Sequence, residues 1–181
     1  QEFNASIPWR SLTASMLILD SHDTARFRTV VLGDRSAHIA AMTMLLTYPG
    51  VPSIFAGDEI GLEGSWGEDS RRTINWEDRT GWDLDFYNST KTLIHMRKES
   101  HALIHGGLRW VAVEKDFLAY LRESKSQSLL IFISRSSVKA EIDLSKFGYS
   151  AAETLFGEKA QGAKIKIDSK GATQGVWLLT R

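Results

Sequence analysis

The hydrophobic pattern changes character at Gly106 and Gly107. Beyond that pair the runs LRWVAV, FLAYLRE, SLLIFISR, AEIDL, AETLFG, AKIKID and GVWLLTR are short and rich in strand formers. They are separated by EKD, SKSQ, SKFGYS, GEKAQG and SKGATQ, stretches of turn residues and charges. Short strands with a turn every ~8–12 residues predict an antiparallel β-sandwich.

Before the glycine pair the chain reads differently. Residues 14–19, ASMLIL, are apolar without alternation, the pattern of a parallel strand covered on both faces. A helix can share that composition, but a run this short fits the ~3–10 residues of a strand. SAHIAAMTMLLTYPG then offers Ser36 as an N-cap, Ile39, Met42, Leu45 and Leu46 at helical spacing, and a Pro49-Gly50 stop. VPSIFAG reads as a second short buried strand ending at Gly57, Asp58 and Glu59. Glu63 to Asp83 is polar and aperiodic, a loop longer than the ~12–15 residues compact domains usually leave without structure or function. From Leu84 to Lys98, the spacing of Phe86, Tyr87, Thr90, Leu93, Ile94 and Arg97 predicts a second helix. The expected architecture is strand-helix units over 1–104, then an all-β unit over 105–181.

Composition removes several classes of function. A chain of 181 residues with 43% hydrophobic residues can bury the core of one substantial domain or two small ones. The 22 basic and 22 acidic residues cancel, and no Lys/Arg cluster is long enough to track a phosphate backbone or an anionic bilayer, so no nucleic-acid partner is expected. With no cysteine there are no disulfides and no thiolate metal sites, which leaves the compartment open. QEFNASIPWR lacks a basic segment followed by an apolar one, and no apolar run approaches the ~20 residues of a membrane span, so a soluble chain without a membrane partner is expected.

The chemistry-bearing stretch is LILDSHDTARF, residues 17–27, where an apolar run switches to concentrated polarity. In sheets of parallel strands, catalytic groups sit where strands end and loops begin. An imidazole at His22 can donate to a hydroxyl. A carboxylate at Asp23 can accept from hydroxyls or stabilise developing positive charge, so the pair suits a sugar. The competing reading is that Asp20, Ser21 and Asp23 only turn the chain by local hydrogen bonds. Asp58 and Glu59 could face the same site or bind loop amides. Trp66, Trp76 and Trp82 could stack on sugar rings or clamp the loop, with one platform expected at most. His38 reads as packed or solvated, and Glu99 and Glu123 as solvated. His95, His101 and His105 lack the HExxH spacing, so no metal is assigned.

LDSHDTARF, TYPGVPSIFAGDEIGL, RRTINW and DFYNSTKTLIHMRKESHALIHGG together resemble, in order and spacing, the last third of the α-amylase family of glycoside hydrolases. The resemblance implies an α/β plus all-β fold: the last two strand-helix units of a (β/α)8 TIM barrel over 1–104, then a C-terminal antiparallel β-sandwich over 105–181. It implies a retaining α-glycosidase acting on α-glucan oligosaccharides, with transglycosylation as a companion activity and no cofactor. Asp23 matches the carboxylate that stabilises the transition state, His22 its hydrogen-bonding partner, and Arg71 a sugar-contacting arginine, with Arg72 the alternative in that doublet. Arg26 lies near the site by sequence, as a structural residue. Ser21 replaces the asparagine usual in the motif, a form similar to the neopullulanase and cyclomaltodextrinase branch, and RRTINW lacks the proline common after the arginines.

No segment resembles the family's nucleophile or acid/base blocks. The resemblance therefore implies that the isolated chain is inactive, and that it docks on the missing N-terminal part of the barrel or self-associates through open barrel edges. A cytoplasmic location is expected. The rival readings are a non-catalytic amylase-like subunit, or a carbohydrate-binding sandwich using Trp110 and Trp177.

Overall fold

The computed structural model describes residues 6–160 and 162–181; QEFNA at the start of the leader reading and Gln161 of the GEKAQG turn lie outside the described residues. Helix α1 (Trp9–Ala14) is followed by strand β1 (Met16–Leu17), which pairs in parallel with β2 (Val51–Pro52). Both strands are shorter than expected. Ala14 belongs to the preceding helix, and Pro52 has no amide to extend the ladder.

The expectation of burial on both faces is also corrected. Met16, Ile18 and Val51 are exposed, whereas Leu17 and Leu19 pack against Met42, Leu45, Leu46, Phe86 and Leu93. Successive side chains of an extended segment point to opposite sides, and among the described residues only one side is covered.

The short helix α2 (Phe27–Val30) leads to α3 (Arg35–Thr47). The cap of α3 is Asp34 rather than Ser36: its Oδ1 accepts from the Ser36 and Ala37 amides at 2.8 and 3.1 Å. A carboxylate standing earlier in the chain takes the first free N–H groups and leaves Ser36 inside the first turn. Tyr48 ends the helix in an extended conformation, as a residue before proline must. The 63–83 segment is irregular apart from a 3₁₀ turn at Gly67–Arg71. Helix α4 (Leu84–Glu99) is capped by Asp83 and α5 (His101–His105) by Ser100.

All seven sandwich runs are strands: β3 (Gly107–Val113), β4 (Phe117–Glu123), β5 (Ser128–Ser134), β6 (Val138–Asp143), β7 (Ala151–Gly157), β8 (Lys164–Ser169) and β9 (Thr173–Thr180). Five form an antiparallel sheet in the order β3-β4-β5-β9-β7, and β6-β8 form an antiparallel pair. Ile142, Ile165 and Ile167 of the pair pack on Leu121, Leu130, Phe132 and Trp177 of the sheet. The other face of the same sheet, through Tyr120, Leu129, Ile131 and Val176, packs on Ala40, Tyr48, Ala102 and Leu103 of the helical half. Strand β5 is consequently buried along its whole length.

Two expectations for the sandwich change. Trp177 is completely buried and Trp110 leans on Tyr48 and Tyr120, so Trp177 presents no surface to a glycan. Glu123 is not simply solvated: it accepts from Arg109 Nε and Nη2 at 3.0 and 2.8 Å and from the Tyr149 hydroxyl at 2.6 Å. Burial works against its charge, yet these donors hold its carboxyl below the usual range.

Candidate functional site

The polar cluster after β1 divides into groups that turn the chain and groups that face outward. The Ser21 hydroxyl accepts from the Asp23 amide at 3.2 Å, and the Ser21 amide donates to the Thr24 hydroxyl at 3.0 Å. Asp20 is buried, and its Oδ2 accepts from the Phe27 amide at 2.5 Å, closing the loop on itself. The turn reading thus holds for Asp20 and Ser21. The Asp23 carboxylate does something else: Oδ2 lies 3.3 Å from His22 Nε2 and Oδ1 lies 3.6 Å from Arg71 Nη2.

The two side chains are well exposed, at 63% for His22 and 70% for Asp23, so their polar atoms are free to meet a solute. Arg71 arrives from the 3₁₀ turn of the long loop. Its Nε donates to the His22 carbonyl at 3.1 Å and its Nη1 meets Glu68 at 3.2 Å. Sequence reasoning named His22, Asp23 and Arg71, and the fold brings all three together. Arg72 turns away to Asp69, Nη2 to Oδ1 2.7 Å, while still lining the same concavity.

Arg26 explains why the loop returns to this point. It is buried, and its Nε donates to the Ser70 carbonyl at 2.8 Å while its Nη1 donates to the Ala56 carbonyl at 2.8 Å and to Asp58 Oδ1 at 2.9 Å. Its guanidinium lies 3.8 Å over the Phe55 ring. One side chain therefore fastens the segment after β2 and the 3₁₀ turn beneath His22, where the Ser70 hydroxyl reaches the His22 carbonyl at 3.3 Å. Asp58 is a structural partner of Arg26, and Glu59 accepts from the Gly57 amide at 2.8 Å, so neither faces the site. Gly57 is needed there: its φ of +104° is strained for other residues, and a Cβ would meet Leu62 at 2.8 Å.

Burial raises the Asp58 pKa to about 8, the Asp20 carboxyl pushes it the same way, and Arg26 opposes both. One guanidinium does not offset the cost of burying the Asp58 charge, so Asp58 keeps its proton at neutral pH.

A second buried network stands beside the first. Arg28 Nε donates to His38 Nδ1 at 3.2 Å and Arg28 Nη2 reaches Asp83 Oδ2 at 3.0 Å, linking α2, α3 and the cap of α4. His38 stacks on Phe86 at 4.2 Å, so of the two readings, packed or solvated, it is the packed one. Burial first, and Arg28 second, lower its pKa to about 3. Among the described residues no group of three His, Cys, Asp or Glu could hold a metal ion, and no helix is long and apolar enough to cross a membrane.

The concavity at the site measures about 540 Å³ and is walled by His22, Arg71, Arg72, Thr73, Ile74 and Trp76 over a floor of Arg26, Phe55 and Ala56. A larger hollow of about 780 Å³ between α4 and β7 contains none of His22, Asp23 and Arg71. Sequence reasoning missed Ser70 and Phe55, because a serine in an aperiodic loop and a phenylalanine in an apolar run carry no local mark of their tertiary partner. For Trp76 the signal was an aromatic residue in a polar loop, but that did not separate it from Trp66 and Trp82.

The family model described as the α-amylase catalytic domain matches residues 5–81. A cyclomaltodextrinase from a Bacillus species is 35% identical over 129 residues, covering 70% of this chain and 23% of the relative. Neopullulanase 2 of Thermoactinomyces vulgaris is 31% identical over 155 residues, covering 83% of this chain and 26% of the relative. The solved structure of the native debranching enzyme of Nostoc punctiforme superposes with a TM-score of 0.85 at 29% identity, over 99% of this chain and 38% of that one. The chain thus spans about a quarter of the length of the curated relatives it matches. With the family model on the segment that carries His22, Asp23 and Arg71, and relatives at 35% and 31% identity that cover 70% and 83% of the chain, the chain belongs to the α-amylase family.

Proposed function

We propose that this chain forms one wall of the sugar site of an α-glucan-cleaving glycosidase that works with retention and, in the presence of sugar acceptors, by transglycosylation. Residues 1–104 contribute the last two strand-helix units of the catalytic barrel, and 105–181 form the C-terminal β-sandwich that packs on it. Asp23 stabilises the oxocarbenium-like transition state, His22 donates to a ring hydroxyl, and Arg71 holds the Asp23 carboxylate in place from the opposite loop.

The observation that carries this reading is that Arg71, 49 positions further along the chain, meets the exposed His22–Asp23 pair, with His22 and Arg71 lining one solvent-facing concavity. The names of the similar proteins, a cyclomaltodextrinase and a neopullulanase, agree with an α-glucan as substrate.

Retaining hydrolysis needs two reactive carboxylates about 5–5.5 Å apart, and Asp23 in its stabilising role is neither. The nucleophile and the acid/base therefore come from a further barrel portion of the same protein, which covers the exposed Met16, Ile18 and Val51. Where that portion is lacking, the same apolar edge drives self-association.

The test compares the isolated 181-residue chain with the longer protein containing it. The isolated chain, folded by circular dichroism, releases no reducing sugar from maltodextrin. The longer protein does, and Asp23→Asn lowers its kcat by about 10²–10³-fold. Turnover by the isolated chain, or a longer protein indifferent to Asp23→Asn, overturns the proposal.

A further inference from the structure

Trp76 is 64% exposed on a loop that is otherwise polar, and an indole so placed has no share in the core. It is nevertheless held. The Trp82 ring meets it edge-on at 5.7 Å and 78°. Trp82 in turn leans on Tyr87 of α4 at 6.1 Å, carries the Arg79 guanidinium 4.8 Å over its face, and donates from Nε1 to the Asn75 carbonyl at 3.3 Å. The chain around it is folded on itself: Asn75 Oδ1 accepts from the Glu77 and Asp78 amides at 3.1 and 3.0 Å. An exposed aromatic ring braced from the side by a second one, on a locally hydrogen-bonded loop, loses little freedom when something settles on its face.

What could settle there is set by its neighbours. Trp76 lines the concavity that also holds His22, Thr73 and the Arg71 guanidinium. An apolar flat face next to fork-shaped donors matches a pyranose ring, which presents C–H groups on its faces and hydroxyls around its edge. Trp66 makes the contrast. It is 72% exposed on the same loop but is not among the residues lining this concavity.

We infer that Trp76, braced by Trp82, is the stacking platform for a glucosyl unit next to the one bound at His22 and Asp23, and so sets how strongly chain length of the oligosaccharide is felt. This rests on the reading of His22 and Asp23 as a sugar site. A platform away from the reacting bond binds ground state and transition state alike, so its loss raises KM and leaves kcat in place. It acts only on substrates long enough to reach it.

The experiment is steady-state kinetics of the longer protein containing this chain, with maltotriose and maltoheptaose as substrates. Trp76→Ala is expected to raise KM for maltoheptaose about tenfold, with kcat changed less than about twofold and the KM for maltotriose changed far less. Trp76→Phe keeps a flat ring and restores most of the loss, and Trp66→Ala leaves both substrates unchanged. Equal effects on both substrates, or no effect of Trp76→Ala, overturn the platform. Asp23→Asn, run beside them, separates the two levels. If it abolishes turnover while Trp76→Ala is silent, only the platform fails, and if it is itself silent the sugar-site reading fails.

Discussion

Arg71 stands 49 positions along the chain from His22, yet its Nε donates to the His22 carbonyl at 3.1 Å and its Nη2 lies 3.6 Å from Asp23 Oδ1. One planar fork thus holds both the backbone and the carboxylate of the same short motif. That geometry belongs to a guanidinium. A lysine ammonium is a point charge on a flexible stem and cannot keep both contacts in one orientation.

The first prediction follows from that fork. In the longer protein, Arg71→Ala lowers kcat/KM on maltodextrin by about 10–10²-fold, and Arg71→Lys recovers little of it, although the positive charge returns. Steady-state kinetics decide. Full recovery by lysine would mean that charge alone, and not the two-point hold on His22 and Asp23, is what matters.

A second prediction concerns the Asp20–Asp58–Arg26 cluster and His38, whose effects on stability run in opposite directions with pH. Asp58 is raised to about 8 from an unfolded value near 4, so the folded state binds the extra proton between them. Its contribution is complete at low pH and is lost as pH rises through 8. His38 is lowered to about 3 from 6.5, so the unfolded state binds the extra proton, and stability is lost as pH falls below 6.5 toward 3. The slopes oppose each other between about pH 4 and 6.5, and above 6.5 Asp58 acts alone.

Asp58→Asn mimics the protonated acid: its carbonyl accepts from Arg26, and its NH₂ is a donor that needs no titrating proton. Urea unfolding of the variant, compared with the parent chain across pH 4–9, is expected to lose the decline between 6.5 and 8, which has a limiting slope of roughly 1.4 kcal/mol per pH unit. Parallel curves for the two proteins would exclude a proton held on Asp58.

Arg122 gives the third prediction. It is buried on β4, and it donates to the carbonyls of Thr47 at 2.5 Å, of Leu103 and Gly106 at 3.0 Å each, and of Gly107 at 3.3 Å. Thr47, Leu103 and Gly106 are at the open ends of α3 and α5, where the helix dipole favours a cation, and Gly107 opens β3. Burial lowers its pKa to about 10, which still leaves it charged at neutral pH. Arg122→Met leaves those carbonyls without a donor in a closed space and is expected to destabilise the chain by about 3 kcal/mol. Arg122→Lys, with three N–H groups, restores only part. Chemical denaturation with an unchanged m-value measures it, and a loss below about 1 kcal/mol would show that water replaces the guanidinium.

Much of the secondary structure was legible in the order of residues. FLAYLRE is β4 without adjustment, because turn residues bound a short run of strand formers on both sides, and the helical periodicity over Leu84–Lys98 gives α4 to within a residue. ASMLIL and VPSIFAG were misread in length and burial. An unbroken apolar run reports that a segment is fit to be covered on both faces, and the described residues supply cover for only one. Asp34 displaced Ser36 as a cap because two capping residues stood close together, and only the backbone angles decide which one lies outside the helix.

By itself the sequence determined the strand-forming runs and the two main helices, and its motifs singled out His22, Asp23 and Arg71 as candidates. These depend on neighbours along the chain and on motifs written in consecutive letters. Only the tertiary structure decided that Asp20 and Ser21 serve the turn while Asp23 faces out, that Arg26 and Asp58 lie beneath the site, and that Trp76, not Trp66, borders it. Those assignments depend on which groups lose contact with water when distant segments meet. Burial of that kind, which changes both hydrogen-bond partners and proton affinities, is not a property of any local stretch.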